Sequence, residues 1–325
     1  MTQWYRIGDG FLEVAPGDEP FRARLQSLFQ ECAVPCPDQA GLPVVCCRAG
    51  ESGDIELTDP EPLDALRFIF TIFPDRGYSE GPPAGGWRTL VMPTPDGPRA
   101  IAIRGNRLRA EPGAPWRALA GNVGVNRLLR LQREVLFLHA AAVELGRSGV
   151  LFVGPKGHGK TSLSLALAAR GHRLLGDELC GVRTPALTLV PVRRSVAVRE
   201  GPVAAAVGAR LDALAAPRVR FPDGTLRRRA SPVELFPGPA PGNGAVPLSH
   251  VVFLRGFAPD CLLEEVRPSR TLLAWLTPLA STLWSRTPAD SVRQLLATVL
   301  GARCWTLRAG HPDATADRLS ATLEA

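Results

Sequence analysis

Apolar and polar positions change their rhythm along the chain. Up to about residue 112 the pattern is one of short alternating stretches, with one clear helical face at Phe21, Leu25 and Leu28. Leu63 to Phe73 is a second apolar element whose period decides neither helix nor strand. Gly81 to Pro98 is rich in proline and glycine, and Arg99 to Arg109 reads as a hairpin turning at Gly105-Asn106. A helix then follows over 116–134, its apolar side supplied by Leu119, Val123, Val125, Leu128, Leu129 and Leu131.

From Val135 onward the runs become denser. Val135 to Leu145 is apolar apart from His139 and Glu144 and reads as one strand. It turns at Gly146-Arg147-Ser148-Gly149 into a second apolar run ending at Val153. After a glycine-rich loop, Leu163, Ala166 and Leu167 mark a helix closed at Gly171. A short strand over 173–175 then ends in Asp177-Glu178. Further on, Arg218 to Arg229 reads as a basic hairpin around Pro222-Asp223-Gly224, and Phe236 to Pro247 as a loop. Pro288 and Asp290 open a helix that Gly301 closes, a strand follows at 303–307, and Pro312-Asp313 opens the last helix. Strands alternating with helices predict an α/β fold. We expect two parts: residues 1–112, strand-rich and suited to recognising a substrate, and residues 113–325, carrying the chemistry.

Composition narrows the class. Of 325 residues, 45% are hydrophobic and 21% charged, as in an ordinary globular protein. No apolar run is long enough to span a bilayer, and the first ten residues lack the charged head and apolar core of an export signal. With an odd count of seven cysteines, this predicts reduced thiols and a cytoplasmic protein without a membrane role. Cys32, Cys36, Cys46 and Cys47 cluster, but their spacing fits no usual zinc pair. The net charge of +7 comes from scattered arginines with one concentration at 218–229, which could meet nucleotide phosphates or an acidic substrate, or be a solvated face; nucleic acid is not expected as a partner.

Lysine supplies the sharpest signal. Of 38 basic residues only Lys156 and Lys160 are lysine, and both lie in Gly154-Pro155-Lys156-Gly157-His158-Gly159-Lys160-Thr161. This segment fits G-x-x-x-x-G-K-[ST], the phosphate-binding loop, between a strand and a helix as that loop requires. In that setting the helix start and the backbone from Gly154 through Ser162 face an anion. Lys160 reaches the β- and γ-phosphates of ATP and the Thr161 hydroxyl ligates Mg²⁺. Lys156 and His158 occupy the variable positions, and His158 is expected to face solvent rather than a phosphate. Asp177, at the C-terminal end of the following strand, falls beside the loop, where a carboxylate can hold Mg²⁺ or accept a proton from an attacking hydroxyl. There is no Asn-Lys pair for guanine recognition and no Leu-Ser-Gly-Gly-Gln, which disfavours GTPases and transporter ATPases.

His139, the loop at 154–161, Arg170-Gly171-His172-Arg173-Leu174 and Asp177-Glu178, in immediate succession, resemble the HPr kinase/phosphorylase family. The resemblance is specific over about 130–200 and looser to about 310. It differs in having Glu178 as the second acid and in lacking a recognisable Glu-Ile-Arg-Gly-like signature. It implies a fold akin to phosphoenolpyruvate carboxykinase and a kinase that moves the γ-phosphate of ATP to a serine of a protein or peptide. By that resemblance Asp177 is the catalytic base, Lys160 binds phosphate, His139 sits near the same phosphates, and Thr161 with an acid of the Asp177-Glu178 pair holds Mg²⁺. A homo-oligomer is compatible with it. A small-molecule kinase on the same fold, and a nucleotide-binding regulatory module without catalysis, are the alternative readings.

Overall fold

The computed structural model describes residues 1–37, 41–49, 55–58, 77–104, 107–114, 116–221, 224–237, 245–280 and 288–324. The element expected at 63–73, the turn at 105–106, Pro222-Asp223 and most of the loop at 236–247 lie outside them. The chain divides into two compact units, Met1–Gln132 and Arg133–Ala325. The helix at Trp116–Leu131 thus belongs to the first unit, whereas the sequence placed it with the second.

The first unit is an α/β arrangement around one sheet. Its strands are β1 (Gln3–Ile7), β2 (Gly10–Val14), β3 (Ala33–Val34), β4 (Val44–Ala49), β5 (Ile55–Thr58), β6 (Ser79–Ala84), β7 (Trp87–Met92), β8 (Arg99–Arg104) and β9 (Arg107–Ala110). They run in the order β3-β1-β2-β4-β5-β9-β8-β7-β6. Helix α1 (Glu19–Phe29) buries Phe21, Leu25 and Leu28, the face its period marked out. Asp18 caps α1 by accepting from the Phe21 N–H at 2.6 Å, and receives Nε and Nη2 of Arg117 on helix α2 (Trp116–Leu131) at 2.6 and 2.7 Å. The Pro/Gly stretch from Gly81 supplies paired strand as well as turn: β6 and β7 form a hairpin. Pro82 and Pro83 fall at the register shift between Gly81 and Ala84, where the ladder to β7 is interrupted, and β6 ends the strand order among the described residues.

The second unit is built on strands that read as continuous apolar runs because both their faces are covered. Strands β11 (Ala141–Leu145), β12 (Ser148–Val153) and β13 (Arg173–Gly176) are antiparallel neighbours, in the order β12-β11-β13. On its other side β12 pairs in parallel with β19 (Val246–Phe257), which pairs in parallel with β21 (Arg303–Ala309), which is flanked by β20 (Leu262–Val266). Strands β10 (Val135–Leu138), β14 (Cys180–Arg183) and β15 (Thr188–Val190) branch off the beginning of β19. Strands β16 (Val196–Arg199), β17 (Arg218–Arg220) and β18 (Leu226–Ala230) form a separate three-stranded sheet.

The strand period of two sorts side chains between two cores. Val150 and Phe152 of β12 join Val252, Leu254, Trp305 and Leu307 beneath helices α3 (Lys160–Ala168), α4 (Ala205–Ala213), α5 (Pro232–Leu235) and α8 (Pro312–Leu323). Leu151 and Val153 join Val251, Phe253 and Cys304 beneath α6 (Arg270–Leu276) and α7 (Pro288–Leu300). Arg170, just past α3, donates to the carboxylates of Asp317 and Asp313 and to the Asp313 carbonyl, tying α3 to α8. Among the described residues no helix is long and apolar enough to cross a membrane.

This burial makes a graded expectation. Phe152→Ala, at a fully buried ring, should cost about 3–5 kcal/mol, whereas Phe257→Ala, at a ring 59% exposed, should cost less than about 0.5 kcal/mol. The shift of the urea unfolding midpoint for each variant measures both.

Candidate active site

The loop leaves the C-terminal end of β12 and enters α3. Gly154 is required at its start: a Cβ there would lie 2.8 Å from the carbonyl oxygen of Leu254 on β19. Gly159 caps α3 with φ +91°, a left-handed conformation that side chains other than glycine adopt at a cost. Pro155, Lys156 and Gly157 are exposed, while Ser162 is half-buried in the first turn of α3. His158 does not face solvent freely: its Nδ1 lies 3.3 Å from the Leu254 carbonyl, so its ring turns back onto the end of β19.

Lys160 is buried, and its ammonium donates to the carbonyls of Gly154 at 2.7 Å and Pro155 at 3.2 Å. Burial lowers its pKa, and the negative charges of Asp177 and Glu178 oppose that shift. The Thr161 hydroxyl lies 3.1 and 3.0 Å from the two carboxylate oxygens of Asp177 and donates to that group. Asp177 is 3% exposed at the end of β13. Burial first, and then the adjacent Glu178, push its carboxyl up to about 7; the Thr161 hydrogen bond and the charges of Arg194 and Lys160 pull the other way. Glu178 has φ +66°, a conformation that persists in a non-glycine residue only where its surroundings fix it.

His139 arrives by a break that its sequence did not reveal. The apolar run at 135–145 is two strands: β10 pairs with β14, while β11 pairs with β12 and β13. His139 lies at the corner where the chain passes from one to the other. Its N–H donates to the Leu279 carbonyl at 3.0 Å, and its Nδ1 lies 3.2 Å from the Glu178 carbonyl. Burial and then the Lys160 charge lower its pKa, against the influence of Glu178. A buried ammonium, a buried carboxyl, a hydroxyl and an imidazole with a lowered pKa therefore converge on the mouth of one loop. That set can bind an anion, hold a cation through oxygen donors and remove a proton near neutral pH.

One further residue belongs to this group. The Val192 N–H donates to the Leu175 carbonyl at 3.0 Å, and Val192 bridges Gly176 in parallel. This lays the segment from Pro191 alongside the end of β13, where the Arg194 charge acts on both Asp177 and His139. The only sequence signal was the tandem Arg193-Arg194 after an apolar run, in a chain where arginine is everywhere.

The cysteine cluster takes no part. Cys46 donates to Glu13 at 2.6 Å in the first unit, and among the described residues no group of three or more His, Cys, Asp or Glu is arranged to hold a metal. A cavity of about 590 Å³ also lies in the first unit, lined by residues such as Trp4, Glu13, Gln26 and Cys36, and contains none of the loop residues.

No protein-family model matches the sequence, and no curated protein matches it. Among solved structures, the HPr(Ser) kinase/phosphatase from Coxiella burnetii aligns with 58% of this chain and 99% of its own, at 15% identity and a TM-score of 0.29. A superposition that loose supports no conclusion, so the functional reading rests on the residues of the site.

The Asp177 carboxyl has a consequence for stability. Its folded pKa of about 7 lies above its unfolded value, so the folded chain binds more protons between about pH 4 and pH 7. Its contribution is therefore fully present in acid and is lost as pH rises through 7, by on the order of 4 kcal/mol. Asp177→Asn should flatten this part of the stability–pH curve. Urea midpoints from pH 4.5 to 8.5 check it, and an unchanged curve in the variant refutes it.

Proposed function

We propose that this protein is an ATP-dependent kinase that transfers the γ-phosphoryl group to a Ser or Thr hydroxyl of a protein or peptide. The observation that carries the reading is the Thr161–Asp177 hydrogen bond at the mouth of a loop whose Lys160 is buried. It joins, on two successive elements, the two oxygen groups that phosphoryl transfer needs beside the phosphate-binding lysine. The resemblance of 130–200 to the HPr kinase/phosphorylase pattern agrees with it.

In this reading the loop amides and the start of α3 bind the β- and γ-phosphates, and Lys160 exchanges its bonds to the Gly154 and Pro155 carbonyls for phosphate oxygens. Asp177 accepts the proton of the acceptor hydroxyl as its oxygen bonds to the γ-phosphorus and the bond from that phosphorus to the ADP oxygen breaks. Burial raises this carboxyl to about 7 in the cation-free site, and a cation bound beside it would bring that value down. Burial holds His139 toward its neutral form, so it adds no competing charge. Arg194, whose charge is felt by both Asp177 and His139, would offset the negative charge that gathers on the transferring group.

The Thr161 hydroxyl and the carboxylates of Asp177 and Glu178 are hard oxygen donors, the kind that Mg²⁺ takes alongside nucleotide phosphates. These three residues would hold it, and bound there it would neutralise phosphate charge. The arrangement needs no larger protein cage, since Mg²⁺ is ordinarily held by one or two carboxylates plus phosphate.

Transfer of labelled γ-phosphate from ATP, with Mg²⁺, to serine-containing peptides and proteins should yield an acid-stable phosphoserine. Lys160→Ala and Asp177→Asn should each lower kcat by at least about a hundredfold. ATP bound tightly with no label transferred to any acceptor would replace this reading with a nucleotide-sensing module. Arg194→Ala should lower kcat by roughly a hundredfold with little change in the KM for ATP; an unchanged kcat removes Arg194 from the mechanism.

A further inference from the structure

The charge of this protein is unevenly placed. Residues 193–231 hold nine arginines against the acids Glu200, Asp212 and Asp223, a net of six of the chain's seven positive charges in 39 residues. The segment folds into the β16-β18-β17 sheet and helix α4. Arginine is repeated even where sheet stability argues against it. Arg218 lies directly opposite Arg228, and Arg199 directly opposite Arg227. Like charges facing across strands destabilise a sheet.

Local contacts soften this cost without removing the net charge. Arg228 pairs with Asp212 at 2.8 Å, Arg218 with Glu200 at 3.7 Å, and the guanidiniums of Arg227 and Arg229 lie 4.0 and 5.8 Å from the centre of the Phe221 ring. Arg199, Arg218 and Arg220 remain exposed at the strand ends. A sheet serving only as scaffold gains nothing from such cross-strand pairs.

The sheet is continuous with the site. The Gly176–Val192 bridge lays this segment beside Asp177, and β16 begins four residues after Val192, at Val196. By register Arg199, Arg227 and Arg229 share one face of this sheet and Arg218, Arg220 and Arg228 the other, so the positive charge that begins beside the proposed base is carried on both faces toward β17. We propose that this sheet docks an acidic segment of the protein or peptide substrate, so that the acceptor hydroxyl lies in a stretch of Asp and Glu residues. The proposal rests on the kinase reading above. Net charge, rather than any single unpaired arginine, supplies the attraction, which is screened over about 8 Å at physiological salt.

The test uses the full chain and three synthetic serine peptides of equal length, one flanked by Asp and Glu, one neutral and one flanked by Lys. Each is assayed for phosphorylation and, separately, for binding by fluorescence anisotropy. The acidic peptide should have a KM at least tenfold below the neutral one, and raising NaCl from 0.05 to 0.5 M should abolish that preference with kcat unchanged. Arg218→Glu/Arg220→Glu should raise the KM for the acidic peptide at least tenfold and leave kcat and the KM for ATP unaltered. Its melting temperature should change little, because the new opposite-charge pair with Arg228 offsets the loss of the 3.7 Å bridge from Arg218 to Glu200. Arg218→Gln/Arg220→Gln, with an intermediate effect, guards against a folding defect.

Equal KM values for acidic and neutral peptides, or no response to the double variants, would overturn the proposal. So would a single-stranded RNA oligonucleotide that binds more tightly than the acidic peptide and is released by the same variants. If the wild type phosphorylates no peptide, the kinase reading fails, and the anisotropy preference for the acidic peptide alone still decides whether the surface docks acidic chains.

Discussion

The buried ammonium of Lys160 sets the terms for everything around it. Burial disfavours its charged form, and the neighbouring Asp177 and Glu178 favour it. Asp177 is in the mirrored position: burial raises its pKa, and Lys160 and Arg194 lower it. Neither group tolerates removal from water alone, and each lessens the cost of the other. The carbonyls of Gly154 and Pro155, the Thr161 hydroxyl and the end of β13 are placed around this pair of opposite charges. A substitution that displaces one member therefore disturbs the protonation of the others.

What permits such a pair is a sheet whose two faces are both sealed. The alternation Val150, Leu151, Phe152, Val153 sends side chains into two separate cores, so the end of β12 is rigid where the loop departs. β19 closes one side of that departure: the Leu254 carbonyl meets both Gly154 and His158. β13 closes the other by carrying Asp177. The tie from Arg170 to Asp313 and Asp317 fixes the far end of the loop's helix. The loop is thus held at both ends by elements distant in sequence, while its own residues supply the ligating groups.

The strand–loop–helix unit was legible because every signal it needs is local. An apolar run, glycines at fixed intervals, the two lysines of an arginine-rich chain and a closing Gly171 all lie within about 25 residues, the scale on which periodicity and capping act. The terminal helix at 312–323 and the strand at 303–309 were readable for the same reason. The break at His139 was not, since a run of eleven residues with nine apolar ones looks alike whether it serves one strand or two; the switch of partners from β14 to β12 and β13 is a tertiary event. Arg194 was hidden by the abundance of arginine, and its placement depends on a bridge between Gly176 and Val192 that no local rule encodes. The prolines of β6 concealed a strand, because the register shift at which they fall is defined by the pairing with β7 and not by the strand's own residues.

The parallel pairing of β12 with β19 has a consequence for biosynthesis. Gly149 meets Leu248, and the other partners keep a similar spacing, so the strand that delivers the phosphate loop waits for a neighbour made about a hundred residues later. Until the ribosome has released that segment, one side of a largely apolar strand offers unpaired amides and carbonyls to any other chain. The features that make the finished loop rigid therefore also make its nascent form the part of this protein most in need of a chaperone.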